Sequence, residues 1–223
     1  MKHLKLGIIG ILILGVCCSG VWAAEAGWKK VGEKNDIIGY TRPTTRSSVD
    51  EMKAVGMVEA PVAVIEAVIR DVSAQPKYMF RCKEAKTVNS PEFKQSKDTS
   101  FFLNVTGMPY PLNDRDVLVR ADYSVDKAAG TLSVHMVGQN TTYMSDGKRV
   151  RMPIMIADYI LVPKGPNKTE MTYVALAEPG GIPSFAVNLF CKNLPSATIA
   201  GIRELVKQDK YKNAKEIVTT TPH

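Results

Sequence analysis

Cysteine and histidine are scarce in this chain of 223 residues, and their scarcity removes whole classes of chemistry. Of four cysteines, Cys17 and Cys18 fall at the end of an N-terminal apolar stretch, which leaves Cys82 and Cys191. One remaining pair is no dense disulfide framework, so a hydrophobic core has to hold the fold. Cys191 stands among Leu189, Phe190 and Leu194, which reads as a buried thiol. The three histidines are His3, His135 and His223, widely separated. With no Cys-x-x-Cys and no paired histidines, neither a metal nor a cofactor is expected. Past residue 24 no apolar run is long enough to cross a bilayer. Internal repeats, low-complexity tracts and shifts of composition are also missing. The bulk of the chain therefore reads as one domain of about 200 residues around one core.

What is present begins with a leader. Lys2 and Lys5 precede an unbroken apolar stretch from Leu6 to Val16, and small residues follow. That order is the pattern of a secretory signal peptide over residues 1–23, with a mature chain starting at Ala24 or Gly27 and a periplasmic or secreted destination. An uncleaved membrane anchor is the rival reading. Loss of Lys2 and Lys5 lowers the formal charge of +7 by two, to +5. Basic residues are dispersed until Arg203, Lys207, Lys210, Lys212 and Lys215, an excess that favours transient contact with anionic membrane surfaces. A solvated helix end reads equally well from the same residues. No nucleic-acid partner is expected, and a monomer is.

The periodicity alternates between two types. In "RDVLVRADYSVD", Val117, Val119, Ala121, Tyr123 and Val125 share one face, while Arg120, Asp122 and Ser124 occupy the other. Period two of this kind marks a half-buried antiparallel strand. "DIIGYTRP", "DEMKAVGMVEA", "TSFFLNVTG", "GTLSVHMVG", "VRMPIMIADYILVP" and "TEMTYVALA" read as further strands, several joined by short turn-rich segments. Between the second and third strands, Val64, Ile65, Val68, Ile69 and Val72 sit at helical spacing, predicting a helix from Pro61 that ends before Pro76. "NDRD" (Asn113–Asp116) resembles an acid/base pair, but a turn that opens a strand, with Arg115 bonding nearby carboxylates or carbonyls, explains it better.

The joint "EPGGIPSFAVN" (Glu178–Asn188) ends the last strand abruptly. Gly180 and Gly181 permit a sharp exit from the sheet. Pro183 then opens a terminal helix whose apolar stripe runs through Phe185, Leu189, Phe190, Leu194, Ile199, Ile202, Leu205 and Val206. Pro195 lies inside this run and predicts a kink or break near Asn193–Leu194. Phe185, Leu189 and Phe190 are expected to face the sheet.

Three segments, "PYPLNDRDVLVR" (Pro109–Arg120), "KTEMTYVALAEPGGIPSFAVN" (Lys168–Asn188) and "LPSATIAGIREL" (Leu194–Leu205), occur in an order and spacing that resembles the START (steroidogenic acute regulatory protein-related lipid-transfer) family in its single-domain bacterial form. The likeness runs from about Gly27 to Lys207. It implies an α+β helix-grip fold, related to the Bet v 1-like proteins, in which a curved antiparallel sheet closes around a long C-terminal helix. It also implies a tunnel between them for one lipid, sterol or fatty acid. The domain is then expected over residues 24–210, with a tail over 211–223.

On that basis the expected ligand-binding residues are Asn104, Val119, Ala121, Met136, Tyr143, Phe185, Leu189 and Phe190. The 139–149 loop, carrying Tyr143 and Met144, and the start of the terminal helix are the expected doors. Two positions depart from the family's pattern. A basic residue that reaches into the tunnel in steroid-binding relatives is Ala121 here, and its acidic partner is Asn104. A tryptophan usual near the end of a later strand is Tyr159. Carriage of a hydrophobic ligand, with no catalytic residue, is the leading functional expectation. A non-transporting ligand sensor, an envelope structural module and a cyclase-like enzyme are the alternatives. Methionines such as Met108, Met136, Met144, Met152, Met155 and Met171 suit an adaptable apolar lining.

Overall fold

The structure, a computed structural model, describes residues 27–215 and Val218. The leader over 1–23, Cys17, Cys18, the cleavage positions 24–26 and His223 lie outside the described residues. No helix among the described residues is long and apolar enough to cross a membrane.

Strands β1 (Lys29–Lys34), β2 (Ile37–Arg42) and β3 (Glu51–Val58) lead into helix α1 (Val62–Arg70), a 3₁₀ turn (Val72–Ala74) and the short helix α2 (Gln75–Tyr78). Then come β4 (Cys82–Thr87), β5 (Thr99–Thr106), β6 (Arg115–Asp126), β7 (Thr131–Gly138), β8 (Val150–Arg151), β9 (Ile154–Gly165) and β10 (Lys168–Glu178). Helices α3 (Ser184–Cys191), α4 (Leu194–Leu205) and α5 (Asp209–Lys212) finish the chain. One sheet runs in the order β1-β2-β3-β10-β9-β7-β6-β5-β4, with the two-residue β8 beside β6. Every pairing but that of β8 is antiparallel: most chain-adjacent strands pair in succession, and β3–β10 and β7–β9 join strands that are not consecutive.

The alternation read in β6 governs its packing. Val117, Val119, Ala121, Tyr123 and Val125 are all buried in the main core, together with apolar residues of α1 and α4. Arg120 on the other face is exposed and pairs with Asp122 at 2.9 Å. Leu118, also outward, is covered by a satellite cluster of Val88, Phe93, Phe101, Leu103 and Val105. β1 has no such alternation: every residue in it is exposed, so nothing in its pattern announces a strand. It is held by its hairpin, whose turn residues Asn35 and Asp36 both take positive φ, the backbone that matches strand twist.

The helix read up to Pro76 is interrupted. α1 ends at Arg70, and Pro76 falls in the first turn of α2, where its missing N–H is not needed. The expected break in the terminal helix is present between Cys191 and Leu194, and by the same logic: Pro195 stands in the first turn of α4. The boundary expected at residue 210 falls inside α5, whose Tyr211 is buried and donates to Asp71 at 2.7 Å. The packed body therefore continues past it.

Candidate functional site

An apolar cavity of about 100 Å³ lies between the concave face of the sheet and α3. Its wall is made by Phe102, Asn104 and Thr106 of β5, Val117 of β6, Met155 of β9, and Tyr173, Ala175 and Ala177 of β10. Met79, Phe80, Cys82 and Met108 close one side; Ile182, Val187, Cys191 and Leu194 form the roof. No lining side chain carries a formal charge.

The polar groups on this wall are committed to each other. Asn104 is buried, and its amide donates to Gln75 Oε1 at 2.8 Å and to Cys82 Sγ at 3.2 Å. The hydroxyl of Thr106 donates to Asn104 Oδ1 at 3.3 Å. Burial pushes the Cys82 thiol up to about 11, against the opposing effect of the Asn104 hydrogen bond. Burial raises Cys191 as well. Both cysteines are free thiols, and both border the cavity. Neutral thiols of this kind behave as small apolar groups rather than nucleophiles.

The roof is positioned by the joint at Pro179–Gly181. Gly180 and Gly181 take φ of +69° and +63°, values that side chains resist, and so turn the chain out of β10. The carbonyls this exposes are held by Arg115, which is buried in the first position of β6. Its Nε donates to Pro179 O at 3.0 Å, its Nη2 to Gly180 O at 2.9 Å, and its Nη1 to Asn113 O. Asp114 beside it accepts from Lys83 at 2.8 Å and from the Met108 amide at 3.0 Å, which fixes the loop that brings Met108 to the wall. The Lys83 hydrogen bond holds the Asp114 carboxyl below its usual range. "NDRD" is thus a structural clamp between strand start, loop and roof.

The structure redistributes the expected site residues. Asn104 is on the cavity wall. Val119, Ala121 and Met136 are on the concave face as expected, but they are sealed in the main core, further along the strands than the void. The strand face was legible; the depth depends on how far α1 and α4 fill the concavity. Phe185, Leu189 and Phe190 do not face the sheet. They are 76%, 59% and 63% exposed, and Val187 is the buried residue of α3. The stripe that predicted otherwise assumes one continuous helix, and the break before Leu194 resets the helical phase between α3 and α4. Tyr143 is half-exposed and meets Phe93 edge-on at 5.1 Å, on the convex face away from the cavity. Its loop is tied down by Arg151, which donates to the carbonyls of Thr141 and Tyr143 and pairs with buried Asp116 at 2.7 Å. Met108, Met152 and Met155 border the cavity, whereas Met136 and Met171 are core and Met144 is exposed. Phe102, Met79 and Ile182 carry no sequence signal for this role, because only tertiary packing brings them to one void.

A curved antiparallel sheet closed by C-terminal helices over an uncharged apolar cavity defines a helix-grip module. The START domain model matches residues 17–208, and the chain belongs to that family, one of lipid- and hydrophobic-ligand-binding domains. It is 29% identical over 206 residues to the uncharacterized protein PA1579 of Pseudomonas aeruginosa, covering 91% of this chain and 98% of that one. The STAR-related lipid transfer protein of Xanthomonas axonopodis superposes with a TM-score of 0.72 at 22% identity, over 82% of this chain and 99% of that one. Human StAR-related lipid transfer protein 5 gives 0.72 at 17% identity, over 83% and 89%. Identities this low establish the shared fold.

Proposed function

We propose that this chain binds one hydrophobic molecule in the cavity and carries it across the periplasm between membranes, without acting on it chemically. The observation that carries the reading is the wall itself: apolar, uncharged, with its few polar groups already paired. Affinity then comes from burial, roughly 0.8 kcal/mol per methylene. The Xanthomonas and human proteins of the same fold are both lipid transfer proteins, which supports transport as the use of such a cavity. The N-terminal leader pattern supports a periplasmic or secreted location. Charged edges on β1 and β4, with Lys29, Lys30, Lys34, Lys83 and Lys86, disfavour strand pairing between copies and support a monomer.

At about 100 Å³ the cavity is smaller than the roughly 150 Å³ that accommodates a benzene-sized guest, so loading requires the roof to lift. α3 is suited to that movement. A glycine pair precedes it, a break follows it, and Val187 is its one buried residue, so lifting it exposes little. Its outer face, Phe185, Leu189 and Phe190, with Tyr110 and Leu112 exposed on the loop beside Met108, supplies an apolar surface for the bilayer. The basic C-terminal residues serve less well. Lys207, Lys210 and Lys212 pair with Glu204, Asp71 and Asp209, and Arg203 donates to the carbonyls of Met57 and Asn35. Membrane contact is therefore assigned to α3, not to that segment or to the 139–149 loop.

The test is a tether. The Asp50 amide donates to Asn188 Oδ1 at 3.0 Å, which places α3 against the chain entering β3. In a chain with Cys82 and Cys191 replaced by Ala, D50C with N188C should stop lipid transfer between vesicles when oxidised and restore it on reduction. Transfer at the parent rate by the oxidised protein would reject α3 as the door.

A further inference from the structure

Sheet register stacks the concave face in rungs. One rung is Ser100, Ala121, Met136, Ala157 and Ala175, each opposite the next. The next rung inward is Tyr123, Val134, Tyr159, Tyr173 and Ala54. Small side chains at Ala121, Ala157 and Ala175 thus precede a row rich in tyrosine. Tyr173 reaches the cavity wall, and Tyr159 stacks on it with ring centroids 4.4 Å apart and planes 15° off parallel. Tyr159 is 1% exposed, and its hydroxyl has no hydrogen-bond partner, the one buried side-chain polar atom so placed among the described residues. The neighbouring hydroxyl of Tyr173 lies close without closing that bond. A buried hydroxyl left unpaired is destabilising, and a guest that bonds it recovers what was lost.

We propose that the Tyr159–Tyr173 pair receives a single neutral hydroxyl or carbonyl at the leading end of the ligand, so that the chain selects uncharged amphiphiles, such as long-chain alcohols, ketones or polycyclic alcohols, over fatty acids and phospholipids. The inference rests on the ligand-binding reading above and adds the chemistry of the head. The remaining polar groups on the wall are satisfied, as Asn104 and Thr106 show. Arg70, which stacks on Tyr123 at 3.7 Å, is already matched by buried Glu66 at 2.8 Å. An ionised head driven inward would meet no free counter-charge, and burying it unpaired is costly. Ala175 and Tyr173 both border the cavity, and Ala157 and Tyr159 stand opposite them in the sheet register.

The experiment titrates the mature chain and its Tyr159→Phe and Tyr173→Phe variants with 1-octanol, octane and octanoate, followed by methyl shifts in NMR. Tyr159→Phe should weaken octanol about tenfold and leave octane unchanged, with Tyr173→Phe changing in the same direction. Octanoate should bind the parent at least about tenfold more weakly than octanol. Equal octanol affinity in parent and Tyr159→Phe, or octanoate as tight as octanol, overturns the tyrosine receptor while leaving the cavity intact. Failure of both octanol and octane to bind the parent overturns the ligand-binding reading as well. Because the hydroxyl has no internal partner, Tyr159→Phe should melt at or above the parent temperature without ligand. A lower melting temperature would mean that a partner inside the fold already serves it, and would also overturn the proposal.

Discussion

Arg115 does most, among single residues, to join the sheet to its roof. A guanidinium 4% exposed and bonded to three carbonyls fixes the place where β10 turns outward. Lysine keeps the charge but cannot fork to several acceptors. Arg115→Lys is expected to lose about 2–3 kcal/mol of stability, measured by urea unfolding, and to speed ligand exchange as the joint loosens. A loss below about 0.5 kcal/mol would show that the three bonds have no net value. That Arg115 bonds carbonyls at a strand start was legible from "NDRD". Its particular partners at Pro179 and Gly180 were not, because they lie 64 and 65 residues away in the chain. Tyr159 shows the same limit. The sequence marks it as a departure from the family's tryptophan, but its stack on Tyr173 depends on a cross-strand register that periodicity alone leaves open.

The helical elements separate what anchors from what the proposed loading requires to move. α4 buries Pro195, Thr198, Ile199, Ile202 and Leu205, and Gly201 lets it approach Tyr78 so closely that an added Cβ would lie 2.6 Å from the Tyr78 Cα. α3 has no comparable anchor. α5 is fastened through Asp71, where burial favours the neutral acid but hydrogen bonds from Lys210, Ser73 and Tyr211 prevail and hold the carboxyl at about 2. The sign follows from that depression. The stabilisation is complete above the ordinary carboxylate value near 3.8 and is lost as pH falls from there toward about 2. Asp71→Asn should therefore cost about 1–2 kcal/mol at neutral pH, discounted for the exposure of Lys210, with the gap from the parent closing between about pH 4 and pH 2. Melting curves across that range measure it; a gap independent of pH would place the cost elsewhere. The existence of the terminal helices was plain from their apolar spacing. Their phase was not, since a break of two residues turned Phe185, Leu189 and Phe190 from the sheet to the solvent.

Across the whole molecule, the alternating strands and the order of strands, helix, meander and helices were enough to anticipate a curved sheet gripping a helix. The void was not readable in the same way. Val119, Ala121 and Met136 point to the correct concave surface, yet α1 and α4 fill that part, and the space remains at the end where Arg115 holds the roof. On the proposed reading the ligand enters under α3, with its head toward the tyrosines and its chain among the methionines. Ala175 is the residue to fill, because it borders the cavity and a void absorbs volume that a packed core does not. The most direct test is native mass spectrometry, with lipid extraction, of the parent and Ala175→Trp purified from the native host. The expected result is one neutral hydrophobic molecule per parent chain and none in the variant, whose indole fills the void and displaces the roof as a guest would. A parent that carries nothing, or an Ala175→Trp protein that carries the same molecule in the same amount, would contradict ligand carriage in this cavity.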